Sequence, residues 1–460
     1  MSMEAVTEKQ NEIHEENKMG VMPVGRLLVT MSLPMMASML VQALYNIVDS
    51  IFVSRICEDA LTAVSLAFPI QTIMIGLATG LGVGMNAVLS RALGSKDNKK
   101  VRDAAMNSLF MTLVNIAIMV IIGLFLIKPF YLSQTSDAEI VGYGVDYLTI
   151  VCIASAGMFF QIIFEKLLQS TGRTLESMFS QLLGAIINII FDPILIFGLW
   201  GFPEMGVKGA AIATVMGQFC GATFGLILNV TRNKEIEFGL KGFRPSWSMI
   251  SEIYVVGLPT IIMQCVGSVM TYAMNRILIV FSSTATAVFG VYYKLQSFIF
   301  MPLFGLNSGL VPIVAYNYGA RKRTRMTGVI KWAVGIAIAI MSIGTIVFET
   351  IPGQLFKMFD ASDFMLSMGI PALRIIAIHF PVAAVCIILG SVFQALGNGV
   401  YSLIVSLIRQ IVVLLPAAYL LSLLGDVNYV WWAFPIAEIA SLTVSTICYI
   451  RIYRNVIKKV

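Results

Sequence analysis

Apolar runs of about twenty residues or more recur along nearly the whole of this 460-residue chain, and no other feature limits its fold so sharply. A helix crosses the hydrocarbon of a bilayer with ~20 such residues, and there each backbone N–H and C=O has to be paired inside the segment. Twelve spans are read, over 26–54, 60–91, 101–127, 139–168, 174–200, 207–231, 249–281, 285–317, 324–348, 363–394, 400–424 and 430–453. Charge agrees: only 12% of the residues are charged, about half the fraction of a soluble domain. Several spans exceed the minimum, which predicts tilts, bends or extension past the bilayer. The expected fold class is an all-α polytopic membrane protein.

Lys and Arg set the orientation. With the N-terminus and the even-numbered loops on one side, that side holds 23 of the 31 basic residues and the other only Arg55, Lys128, Lys208 and Lys357. The remaining four, Arg276, Lys294, Arg374 and Arg409, fall inside spans. Both termini are therefore expected in the cytoplasm, with the plasma membrane as the location. Basic residues confined to short loops give no reason to invoke nucleic acid. Residues 1–20 are polar and acidic, with Glu4, Glu8, Glu12, Glu15 and Glu16, and lack the form of a cleaved signal peptide, so the first span is expected to direct insertion. The six cysteines are widely spaced, with no CxxC and no Cys/His cluster, which indicates neither a metal site nor a disulfide framework.

The chain repeats itself. At an ungapped offset of 225 residues, Leu33-Pro34 meets Leu258-Pro259, Gln71 meets Gln296, and Gly80, Gly84 and Gly94 meet Gly305, Gly309 and Gly319. Gly144 meets Gly369, and Gln169 and Gly172 meet Gln394 and Gly397. Six spans per unit make both units enter from the same side, so the repeat is parallel, about an axis along the membrane normal. The expected division is a tail over 1–25, a first lobe over 26–231, a linker over 232–248, a second lobe over 249–453 and a tail over 454–460. Such duplications place a binding site between the halves and support alternating access by rocking.

Ionisable groups inside a membrane are expensive and tend to be functional. Asp49 follows Gln42 and Asn46 at helical spacing in span 1, and Asp192 follows Asn188 by four residues in span 5, so each acid shares a face with amides. Both acids are expected at similar depth toward the outer ends of their helices. Pro193 removes a backbone donor and leaves the carbonyl of Ile189 without its helical partner. Burial and mutual repulsion both disfavour two charges there, which suits a bound proton, and carboxylate and amide oxygens also suit Na⁺. The repeat places Met274 and Ala417 opposite these acids, so the pair belongs to the first half alone. The second half offers Gln264, Ser268, Thr271 and Asn275 on one face of span 7, with Arg276, Lys294, His379, Arg409 and Glu438 elsewhere; Lys294 and Glu438 are opposite charges available to pair across the bundle, for a structural or a functional role. Gln42, Asn46, Gln264, Asn275, Lys294 and Glu438 are the candidates for lining a substrate cavity.

No GxxxxGK[ST], GxSxG or HExxH occurs. An ATP-driven pump and a standard membrane hydrolase are thereby disfavoured, no cofactor is expected, and the energy has to come from an ion gradient or the membrane potential. A transporter, not an enzyme, is the expectation. The alternatives are a flippase for lipid-linked sugars, which would often have fourteen spans, and a membrane-embedded transferase, disfavoured because His14 is the only histidine outside a span.

These residues form a resemblance. MMASMLVQALYNIVDSIFVS (Met35–Ser54), GLGVGMNAVLSRALG (Gly80–Gly94), QSTGR (Gln169–Arg173), NIIFDP (Asn188–Pro193) and GAAIAT (Gly209–Thr214) resemble the multidrug and toxin extrusion (MATE) family of the MOP flippase superfamily, from about Met22 to the C-terminus. The resemblance implies two six-helix lobes in a V and a monomeric antiporter. It implies export of organic, often cationic, amphiphilic compounds in exchange for H⁺ or Na⁺. It places Asp49, Asn188 and Asp192, with Thr214 as a fourth member, at the first-lobe cation site. Spans 7 and 10 lack the central acids of NorM-like members, which favours a DinF-like or MepA-like branch.

Overall fold

The structure is a computed structural model that describes residues 17–239, 243–359 and 361–460, with Ser54 described by its backbone alone. The acidic residues at 4–16, His14 and Lys241 lie outside the described residues. The described chain is helical and contains no strand. Ten helices are long and apolar enough to span, and two bent pairs bring the total to twelve. We label them α1 (Val24–Ser54), α2 (Phe68–Gly94), α3 (Asn98–Phe125), α4 (Ala138–Ile153 with Ala156–Ser170), α5 (Thr174–Phe197), α6 (Val207–Arg232), α7 (Trp247–Leu278), α8 (Ser283–Gly319), α9 (Arg323–Thr350), α10 (Asp363–Ala377 with Phe380–Ala395), α11 (Gly399–Ser422) and α12 (Ala433–Asn455).

Two details depart from the sequence reading, and a third, bending within a span, follows it. Span 2 does not begin at residue 60: Glu58–Leu66 is a separate short helix, and the chain turns at Ala67 before α2. The two bent spans break at equivalent places, by 46° between Ile153 and Ala156 in α4 and by 50° between Ala377 and Phe380 in α10, although only the second break carries a proline, Pro381, at its new N-terminus. The stretch Asn17–Met22, read as part of a tail, is packed into the protein with Met19 fully buried.

The repeat explains how the halves join. α1 packs on α8, α2 on α7, and α2 on α8, so each contact is exchanged by the two-fold or lies on it. The glycines that recur at the offset sit at these crossings. A Cβ on Gly84 would fall on the Ile253 carbonyl of α7, and one on Gly309 would lie 2.9 Å from the Cα of Ser32 in α1. Small residues let backbones approach where lipid supplies no driving force of its own. Gly144 and Gly369 do the same inside each half, against the rings of Tyr131 and Phe356.

The crossings between the halves, at Gly84 and Gly309, lie toward the end that bears the basic loops. There Glu252 of α7 pairs with Arg91 at 3.4 Å and Lys100 at 2.9 Å, both from the first half. Asn17–Met22 bridges the same end. Asn17 Nδ2 donates to the Thr171 carbonyl at 2.9 Å on one side. On the other, Asn317 donates to the Met19 carbonyl at 3.0 Å, Lys322 to Gly20 at 3.0 Å and Arg325 to Met22 at 2.6 Å. Toward the opposite end Asn46, Ser268 and Lys294 are exposed within their helices. Exposed polar groups inside spans mark an aqueous cleft, so the halves are joined at the basic end and part toward the other.

Candidate functional site

The site in the first half is built by the crossing of α5 and α6. A Cβ on Gly217 would lie 2.5 Å from the Gly184 carbonyl and 3.2 Å from the Cβ of Asn188. With no side chain at either glycine, α6 comes close enough to set Thr214 opposite Asn188. In the amide orientation that satisfies both neighbours, Asn188 Nδ2 donates to Asp192 Oδ2 at 3.0 Å and Asn188 Oδ1 accepts from Thr214 Oγ1 at 3.2 Å. Asp192 is completely buried. Pro193 follows it inside α5 and offers no N–H to Ile189. The end of α5 is closed by the following loop, where the Met205 and Gly206 N–H groups donate to Leu195 and Ile196 at 3.0 and 3.1 Å.

α1 packs along α5 and brings Asp49 to this group. The Asp49 and Asp192 carboxyls lie within hydrogen-bonding reach of one another, and Asp49 Oδ1 is buried without a partner. Ionised carboxylates only accept hydrogen bonds, so two of them in contact need a proton or a cation between them. Neither acid has a Lys or Arg partner among the described residues. Tyr45 and Tyr147 stand near both acids, and Gln71 Nε2 donates to the Tyr147 hydroxyl at 3.1 Å. The structure thus brings together Asp49, Asn188, Asp192 and Thr214. It adds Tyr45, Tyr147 and Gln71, which sequence reasoning missed; the signal for Tyr45 was its place one helical turn before Asp49.

The remaining candidates separate. Gln42 accepts from Gln181 Nε2 at 3.0 Å, and Gln181 in turn accepts from Ser38, so Gln42 ties α1 to α5. Asn46 is exposed, and Asn275 is half-buried. Gln264 faces α2 beside Gly76 where the halves begin to part. Lys294 does not pair with Glu438. Its ammonium lies 6.0 Å from the centroid of Phe359, and Glu438 instead faces Arg409 at 3.8 Å. Register decides this: Arg409 lies on a π-helical turn, Ile408–Leu414, whose widened pitch alters which residues of α11 face α12. His379, at the α10 bend, stacks on Phe434 beside this pair. Glu438 Oε1 and the Tyr292 hydroxyl are buried there without partners.

Comparison with known proteins follows this geometry. The MatE family profile matches twice, over residues 34–194 and 259–420, beginning at Pro34 and Pro259, which the internal repeat aligns. The chain is 26% identical to the multidrug export protein MepA of Staphylococcus saprophyticus over 91% of its own length and 92% of that protein. It is 25% identical to a FAD transporter of Shewanella oneidensis, again over 91% and 92%. It superposes with a TM-score of 0.91 on an outward-facing multidrug resistance MATE family transporter of the MOP superfamily. That pair is 26% identical and covers 98% of this chain and all of the other.

Proposed function

The chain belongs to the MatE family, and from that premise we propose that it is a cation-coupled antiporter. It exports organic, amphiphilic or cationic compounds across the plasma membrane in exchange for H⁺ or Na⁺. The observation that carries this reading is the contact of Asp49 with Asp192 in the first half, with no acid at the equivalent positions of the second. The chain acts as a monomer with both termini cytoplasmic, as the basic loops favour, and uses no cofactor.

The coupling ion enters from the side away from the basic loops and reaches the two carboxyls. Its charge cancels their repulsion, and α1 settles against α5 and α6. Asn188 holds Asp192 in place through Nδ2, and Thr214 holds Asn188. Substrate leaves on the outer side as α1 repacks, and rocking of the halves about the α1–α8 and α2–α7 crossings resets access. The test is efflux of a fluorescent organic cation from proteoliposomes with H⁺ and Na⁺ gradients imposed separately. Asp49→Asn and Asp192→Asn should each abolish gradient-driven efflux without lowering expression. Wild-type transport by Asp49→Asn overturns the proposal.

A second reading has its own support. Lys294 and Arg276 are exposed cations on the second half, and one relative is a FAD transporter. An organic anion fits those residues better than a cation does. Flavin dinucleotide offered against the fluorescent cation in the same vesicles separates the two.

A further inference from the structure

Away from the candidate site, a cavity of about 350 Å³ opens between the start of α9 and the end of α12, lined by Arg323, Thr324, Thr327, Lys331, Tyr449 and Tyr453. α9 and α12 each pack on the second part of α10, so that helix forms the floor of a groove between them. A second cavity, of about 340 Å³, lies at the same end of the two helices and is walled in part by Arg321 and Lys459. The two cavities present four cationic side chains and no acidic side chain among their lining residues. None of the four is ion-paired among the described residues.

Arg323 is held ready. One of its terminal nitrogens donates to the Tyr453 hydroxyl at 2.7 Å, and its guanidinium lies 5.4 Å from the centroid of the Tyr453 ring. The hydrogen bond and the ring contact hold the guanidinium in place and leave its other N–H groups to bond an oxyanion in two places. Lys331 lies two turns further along α9, on an exposed face, and lines the same cavity as Arg323. Its neighbour Trp332 and the tyrosines of α12 are residues that settle at the boundary of bilayer and water. Cations on two spans, hydroxyls between them and aromatic flanks at that boundary form the chemistry that binds a lipid phosphate.

We propose that the α9–α12 groove is a binding site for the headgroup of an anionic phospholipid, with Arg323 and Lys331 on the phosphate, Thr324 on a remaining oxygen, and the acyl chains lying over α10. The groove is remote from Asp49 and Asp192, so the proposal stands whichever ion or substrate the transporter uses.

Native mass spectrometry of the full chain, released from micelles doped with equal dioleoylphosphatidylglycerol and dioleoylphosphatidylcholine, tests it. The wild-type protein should retain phosphatidylglycerol preferentially. An Arg323→Gln/Lys331→Gln variant should lose that preference by roughly tenfold or more, since each cation near an anionic surface supplies about a fivefold factor. A Lys99→Gln/Lys234→Gln variant removes the same net charge from exposed positions outside the second half and should keep it. Equal retention by the groove variant, or equal loss in the control, overturns the site. Inorganic phosphate offered alone supplies the other arm: if millimolar phosphate displaces the lipid completely, the site is one for free phosphate and the lipid assignment fails. Thermal melting of each variant checks folding. A groove variant that does not fold is replaced by Lys331→Gln alone, expected to lose about fivefold, and full retention by it counts against the proposal.

Discussion

Gly94 and Gly319 hold the same position in the two halves, and each lies against the helix that ends in the other. A Cβ on Gly94 would fall on the Tyr316 carbonyl, and a Cβ on Gly319 on the Arg91 carbonyl. Arg91 and Tyr316 are themselves repeat partners, so the contact is a two-fold seal made of backbone. Neither position takes alanine unless α2 and α8 move apart. Gly94→Ala or Gly319→Ala is expected to destabilise the closed end by about 1–3 kcal/mol, the usual penalty for forcing atoms into a packed site. Thermal unfolding in detergent reads the loss, and labelling of a cysteine placed at Leu93 reads the separation. Unchanged melting in both variants would contradict a seal at this point.

The bridge over that end should respond to pH through Lys18. Burial strips water from its ammonium and holds its pKa below the usual lysine value; Glu176 and Glu235 oppose this and Arg173 reinforces it. The docked segment therefore gives up the proton at lower pH than the free segment does. Between those two values the free segment binds more protons, so docking strengthens as pH rises toward the ordinary lysine range. Hydrogen exchange over Asn17–Met22 should slow across that window relative to its intrinsic rate, and Lys18→Met should remove the pH dependence. A pH-dependent difference that persists in Lys18→Met would assign it to another group.

Asp49 and Asp192 are expected to act as a unit. Once one is replaced by Asn, the other no longer faces a like charge, and removing it changes little more. The loss of coupled efflux in Asp49→Asn/Asp192→Asn should therefore fall well short of the product of the single losses. Multiplying effects would show that the two acids work independently. Asn188→Ala is a milder lesion: it leaves Asp192 Oδ2 and Thr214 without their buried partner, for about 1–3 kcal/mol of stability, and should lower efflux while keeping its dependence on the gradient.

Apolar run length and the 225-residue offset made the spans, the two halves and the glycine crossings readable, because hydrocarbon thickness and close backbone approach act directly on residue type. Asp49 and Asp192 were readable for the same reason: charge inside a span is rare. The bend in α4 was not, since no proline stands at Ala154–Ser155, and only its match to the break before Pro381 in α10 makes it intelligible. The partner of Glu438 was not readable either. Sequence spacing assumes 3.6 residues per turn, and the π-helical turn at Ile408–Leu414 breaks that assumption at Arg409. On the side of the second half, Asn17–Met22 is held by carbonyl groups of its own backbone meeting Asn317, Lys322 and Arg325, and a backbone carbonyl carries no residue-specific signal.

The pair of Arg409 and Glu438 gives the last prediction. Glu438 is nearly fully buried while the Arg409 side chain is about a quarter exposed, and their separation of 3.8 Å makes a long contact. Taking a carboxylate out of water is expensive, and Arg409 offsets that only in part. Removing the cation alone should be the worst change: Arg409→Met leaves Glu438 buried beside the unpartnered Tyr292 hydroxyl and should destabilise by about 3 kcal/mol or more. Glu438→Gln keeps a hydrogen-bonding group and sheds the charge, so its penalty should be smaller. In Arg409→Met/Glu438→Met both charges are gone, and most of the stability lost in the single Arg409 variant should return. A thermal double-mutant cycle measures this. If the double variant is as unstable as the sum of the singles, the two residues do not answer each other, and the orphaned oxygen of Glu438 has another partner in the working protein.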